Sequence, residues 1–348
     1  MILDTVLDIL RGRAITIPPM DGPLRPNTAL DEAAVIERAQ APDNLCFDGR
    51  RVLYSSGGEV RALAGAAVVA RHDAPVTALA ASPGGELAVA LDDGRLLLGE
   101  RSLPAPAGLT SATALAFGDA ETLFLCQGSA RHPASDWVVD LMEGSASGSV
   151  WRLNLRDGSS VCLARDLAFP YGLLIAGGDL VIAESWRHRL LRLPAAGGAP
   201  QPVLAKLPGY PARLAPAGGG GAWLTLFAPR NRLIEFVLEE ESYRADMVRD
   251  VPREFWIAPA LSSGASFLEP LQCGGVKTMG IHKPWSPTRS YGLVVRLDAA
   301  FRPVASFHSR ANGTRHGVTS LVEAAGRLLV SAKGGGAILD LGPAAGEG

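Results

Sequence analysis

Nowhere in the chain do two cysteines share a CxxC spacing: Cys46, Cys126, Cys162 and Cys273 lie far apart. That excludes a zinc knuckle or a dithiol centre, and isolated thiols of this kind behave as small apolar side chains. Also missing is any apolar run near the roughly 20 residues that a membrane helix needs. Met1-Ile-Leu-Asp-Thr-Val-Leu-Asp puts acids where a secretory signal carries positive charge, so a cytoplasmic location without a membrane partner is expected. There is no basic cluster: 33 Lys and Arg stand against 35 Asp and Glu, for a net charge of −2. A nucleic-acid partner, which needs clustered cations to displace counterions, is not expected. No phosphate-binding loop is present either, because Gly218–Gly221 is followed by neither a Lys-Ser/Thr pair nor a helix pattern and reads as a flexible turn. A serine-nucleophile elbow, G-x-S-x-G at a strand-to-helix turn, is absent as well.

What is present is a repeat. The stretch FPYGLLIAGGDLVIAESWRHRLLRL, from Phe169 to Leu193, reads as an apolar run, a Gly-Gly-Asp turn, a buried strand, a polar turn and a second strand. That is a hairpin signature, and a lone hairpin is not stable in water. Equivalent runs begin at Val52, Leu87, Leu123, Leu180, Trp223 and Leu328, separated by 35, 36, 57, 43 and 105 residues. The run at Trp223 is paired in this reading with a second strand over 232–237. Six strand-built units with a period near 40 residues predict an all-β, six-bladed β-propeller. At 348 residues and 47% hydrophobic content the chain can bury such a core.

Residues 1–40 are assigned to a short N-terminal helix (Ile2, Leu3, Val6, Leu7 and Leu10 at helical spacing) and an extended lead-in broken by Pro18, Pro19 and Pro23. Within it, 31–39 reads as a helical turn or as part of the first strand. Residues 41–348 form the propeller, with insertions at 128–148 and 239–290; the second opens with a charged helical pattern over 239–256. Long insertions in a compact domain usually cover a site, so both are expected at one mouth of the channel, with His282-Lys283-Pro284-Trp285 as a lid. The N-terminal segment is expected to supply a strand to the last blade, which removes an open edge.

GSVWRLNLRDG, the Phe169–Leu193 stretch, LPGYPARLAPAGGGGAWLTL, YGLVVRLD and GVTSLVEAAGRLLVSAKGGGAILDL together resemble the strictosidine synthase-like proteins. These belong to a wider group of six-bladed propellers that includes gluconolactonase and paraoxonase-type hydrolases. The resemblance runs from about residue 41 to 341 and implies an active site where loops converge at one end of the channel. In the hydrolases of that group, carboxylate and Asn oxygens hold Ca²⁺, which polarises an ester or lactone carbonyl. Strictosidine synthase uses no metal and relies on a glutamate at the start of the last blade's inner strand. Here Tyr171 replaces the Asn of the F-P-N-G motif, and Ala212 and Arg213 replace the acid and Asn of G-x-P-D-N. The catalytic glutamate position falls on Thr319, with Glu323 four residues on. Only Asp43 and Asn44 keep the character of metal ligands.

The expected chemistry is hydrolysis of a small ester, lactone or related carbonyl compound, with a metal-independent amine/aldehyde condensation or lyase reaction, or a non-catalytic binding propeller, as alternatives. His316, Tyr171 and Thr319 are the catalytic candidates, His316 foremost for acid/base work. Arg213, Asp43, Asn44, His132 and Trp186 are the substrate-binding candidates. Asp43 and Asn44 would anchor Ca²⁺ if any cofactor is used. Arg213 is open to two readings, a bidentate carboxylate ligand or a structural partner of Asp43 across the channel. Tyr171 is either a proton donor or a plug, and His132 a base or a solvated loop residue. Glu184 is read as structural. Trp137, Trp186 and Trp285 line a pocket or pack between blades.

Overall fold

The apolar runs flanked by Gly and Asp turns become the middle strands of six four-stranded antiparallel sheets. Leu87–Leu91, Thr122–Gln127, Asp179–Glu184, Ala222–Pro229 and Arg327–Ala332 are buried nearly end to end, because each blade is covered by a neighbour on both faces. That is why they read as continuous hydrophobic stretches instead of alternating ones. The computed structural model describes residues 16–63, 65, 67–264, 269, 277–278, 281–282 and 288–344. The N-terminal helix expected over 2–10, and Lys283, Pro284 and Trp285, lie outside the described residues.

Six innermost strands surround the central channel: Asp43–Phe47, Val76–Ala81, Ala112–Phe117, Pro170–Ala176, Gly209–Pro216 and Val318–Ala324. The ring closes as expected, since Ala34–Arg38 pairs antiparallel with Ala337–Pro343 as the outer strand of the last blade. A single-turn helix, Ala29–Glu32, precedes that strand, so the ambiguous segment is both helical and extended. Where blades 4 and 5 meet, Gly172 is required: a Cβ there would lie 2.2 Å from the Ala212 carbonyl oxygen.

One strand assignment is corrected. Residues 232–237 form not the partner of the Trp223 strand but the start of a helix, Arg232–Glu239. Asn231 caps it by accepting from the Leu233 and Ile234 N–H groups, and Ile234 and Val237 repeat at helical spacing toward the core. The strand that pairs with Ala222–Pro229 is Gly292–Leu297. The long insertion therefore sits inside blade 5, between its second and third strands, and carries a further helix, Glu241–Asp250. The blade 3 insertion occupies the equivalent connection and holds the helix Trp137–Glu143. Second strands end beside the start of the inner strands, so both insertions arch over the same mouth.

Candidate functional site at the channel mouth

Near its start every inner strand breaks register with its neighbour: between Asp43 and Cys46, Val76 and Ala78, Ala112 and Ala114, Pro170 and Gly172, Gly209 and Pro211, and Val318 and Ser320. Irregularities of this kind re-aim side chains. The residues inside them are Asn44, Leu45, Thr77, Thr113, Tyr171, Tyr210 and Thr319; of these, Thr77 and Tyr171 line the cavity at the mouth and Thr319 lies beneath it. In blade 1 the break coincides with a left-handed backbone at Asn44, φ 54°, a conformation that Asn tolerates better than most residues.

Asp43 is the hub. Its Oδ1 accepts from Arg213 Nη1 at 2.9 Å, Thr319 Oγ1 at 2.8 Å and the Asn44 N–H at 2.8 Å, and its Oδ2 accepts from Lys333 Nζ at 2.9 Å. Arg213 reaches across the channel from blade 5. Its Nη2 also donates to the carbonyls of Thr77 (2.7 Å) and Thr113 (3.1 Å), and its guanidinium lies 4.9 Å from the centre of the Tyr171 ring. One side chain thus ties blade 5 to blades 1, 2 and 3. Burial by itself would raise the Asp43 carboxyl; the Arg213 guanidinium and Lys333 ammonium outweigh it and hold the group at about 2. Lys333 is shifted upward, burial opposing and the Asp43 carboxylate prevailing, so its amine stays protonated.

Above this floor lies a cavity of about 280 Å³, lined by Asp43, Pro75, Thr77, Asp92, Ala134, Ser135, Trp137, Tyr171, Arg213, Leu261 and Lys333. The Ser135 N–H holds Asp92 Oδ1 at 3.0 Å. Trp137 and Leu261 come from the two insertions, so the loops expected to cover the mouth do line it. A second cavity of about 460 Å³, lined mainly by apolar side chains such as Leu45, Leu79, Leu173 and Leu321, lies on the other side of Arg213. Arg213 is a partition between them.

Asp43, Tyr171 and Arg213 are brought together at the cavity, with Thr319 fully buried beneath the Asp43 carboxylate. Asn44 is 1% exposed and faces protein, its Nδ2 donating to Ser55 Oγ at 2.7 Å and to the Val76 carbonyl. His316 is not among the cavity-lining residues. Its Nδ1 pairs with Ser290 Oγ at 2.7 Å and its Nε2 with the Arg310 carbonyl at 2.8 Å, which uses both ring nitrogens structurally. His132 pairs with Glu143 at 2.9 Å within the blade 3 insertion. Trp186 stacks on Phe169 at 4.4 Å and donates to Asp140, packing under Trp137 instead of lining the cavity. Glu184 is structural as expected, fully buried and accepting from Arg187, Arg189 and the Ala168 N–H. Lys333 and Asp92 were missed by sequence reasoning. Each is the first residue after a second strand, Leu87–Leu91 or Arg327–Ala332, a position whose functional meaning emerges only once the blades are assembled.

The donor set does not suit Ca²⁺. A calcium ion takes six to eight oxygens, whereas here one buried carboxylate already has both oxygens engaged by fixed cations, and Tyr171 and Arg213 stand where amide oxygens were expected. The Asn44 amide oxygen is buried without a hydrogen-bond partner, but it is a single neutral donor. Among the described residues, no group of three or more His, Cys, Asp or Glu could hold a metal ion. Likewise, no described helix is long and apolar enough to cross a membrane.

No protein-family model matches the sequence, and no curated protein matches it. Solved structures do align. A calcium-binding protein, regucalcin from Agrobacterium tumefaciens, superposes with a TM-score of 0.54 at 13% identity over 86% of this chain and 85% of that one. A gluconolactonase from Xanthomonas campestris gives 0.55 at 13% identity over 90% and 87%. A streptogramin B lyase gives 0.50 at 10% identity over 87% and 94%. At such identities the likeness is one of fold, and the chain is a six-bladed β-propeller with the architecture of the regucalcin and gluconolactonase structures.

Proposed function

We propose that the chain hydrolyses a small ester or lactone in the channel-mouth cavity by a metal-independent route. The observation that carries this reading is the cavity itself, a pocket open to the channel mouth that is lined by both a protonated Lys333 on the floor and the Asp92 carboxylate on the wall. Asp92 takes a proton from water as the water oxygen attacks the carbonyl carbon. Lys333 and the Tyr171 hydroxyl donate to the developing oxyanion, the interaction that usually dominates acyl transfer. The acyl–oxygen bond then breaks and the proton held by Asp92 passes to the leaving alkoxide. The gluconolactonase fold supports lactones as the first substrates to try. Kinship with the strictosidine synthase-like proteins belongs to the same proposal, but their condensation chemistry fits less well. Thr319 occupies the position of their glutamate and donates to Asp43, and a protonated Lys333 is no amine nucleophile.

A binding propeller is the second reading, favoured by the engagement of both Asp43 oxygens by Arg213 and Lys333, which holds that carboxylate ionised and weakly basic. The two separate in a panel of chromogenic esters and γ- and δ-lactones. Hydrolysis is expected, with Asp92→Asn slower by roughly a hundredfold or more, the usual range for a lost general base. Absence of turnover across the panel, or full activity in Asp92→Asn, would remove the hydrolase reading.

A further inference from the structure

Two cations face Asp43, but they are not equivalent toward a ligand. The Arg213 Nη groups are spent on protein acceptors: Asp43 and the Thr77 and Thr113 carbonyls. Its side chain is only 12% exposed, so Arg213 offers a ligand less than Lys333 does. Lys333 differs. Among the described residues Asp43 is its one hydrogen-bond partner, its ammonium has three donors, and its side chain is 30% exposed into the cavity. The backbone fixes its place, because Gly334 lies so close under the insertion that a Cβ would meet the Leu261 carbonyl at 1.9 Å.

The walls above Lys333 are aromatic and rigid. Trp137 packs edge-on to Phe227 at 5.3 Å, and Tyr171 edge-on to both Phe227 (5.9 Å) and Phe169 (5.7 Å). Pro75 and Leu261 complete the apolar lining, while Asp92 stands on the wall as a carboxylate with no cation partner among the described residues. An anionic group is therefore attracted to Lys333 on the floor, a second negative charge on the ligand is repelled by Asp92, and the Trp137 and Tyr171 side chains in the lining favour an apolar or aromatic body.

We propose that Lys333 is an anion seat: it binds the carboxylate of a small monoanionic acid with an aromatic or alicyclic body, which makes the acid half of the hydrolysed ester or lactone the part recognised. The location is taken from the hydrolase reading, but binding needs no turnover, so the two fail separately. Benzoate and its uncharged isostere benzamide are the probes, titrated into the full-length protein by calorimetry at low and high salt. Benzoate should bind with a dissociation constant of about 1 mM or tighter, benzamide roughly tenfold more weakly, and the difference should shrink as salt screens the charge. Lys333→Met should lose the preference for benzoate and Lys333→Arg should retain it. Equal binding of the two probes to the wild type, a preference insensitive to salt, or no benzoate binding would each overturn the seat, whatever the folding of the variants.

Discussion

Replacing Asp43 with Asn removes the one negative charge between Arg213 and Lys333 while keeping size and shape. The structure gives the magnitude. Asp43 is lowered from 3.8 to about 2, and each unit is worth about 1.4 kcal/mol, so the charged form stabilises the fold by about 2 kcal/mol relative to the neutral one. An amide group adds to the loss, because its NH₂ must face Arg213 or Lys333, donor against donor. The group's pKa is lower in the folded than in the unfolded chain, so its contribution is complete above about pH 4 and disappears as pH falls toward 2. Urea denaturation should therefore show Asp43→Asn less stable by about 2 kcal/mol at pH 7, with the gap roughly halved by pH 3, where the wild type is itself losing the benefit. A variant as stable as the wild type at pH 7, or a deficit that is the same at pH 3, would refute the role of Asp43 as the charged hub.

Arg213→Met cuts the tie between blade 5 and blades 1, 2 and 3 and should cost about 3 kcal/mol, the order expected when one partner of a buried pair is removed, read as a lower midpoint in the same denaturation; an unchanged midpoint would show that the partition bears no load. His316→Asn should lower stability by about 1 to 3 kcal/mol through the unsatisfied Ser290 and Arg310 groups while leaving kcat and KM for any confirmed substrate unchanged. A fall in kcat with intact stability would return His316 to the chemistry.

The sequence carried the propeller because its period is a property of single blades: each middle strand has an apolar centre, and Gly or Asp turns flank most of them. It misled at 232–237, where Leu-Ile-Glu-Phe-Val suits either a strand or a helix, and only the Asn231 cap and the packing of Ile234 and Val237 decide for the helix. The site was legible in part. Asp43, Tyr171 and Arg213 could be placed at the mouth from the motifs that contain them, and the structural alternative for Arg213, a pair with Asp43, is the one realised. His316, which lies close in sequence to the inner strand of the last blade, is drawn instead into the packing around Ser290, because loop direction cannot be read from spacing. Lys333 and Asp92 carried no motif, being single polar residues at strand ends that acquire meaning only where six such ends converge.

In the proposed hydrolysis, Lys333 and the Tyr171 hydroxyl do the work at this mouth that an oxygen-bound metal would otherwise do. Turnover of the ester and lactone panel by protein dialysed exhaustively against a chelator, with and without added Ca²⁺, tests it most directly. Hydrolysis should persist after chelation and be indifferent to calcium; activity lost to the chelator and restored stoichiometrically by Ca²⁺ would contradict the claim.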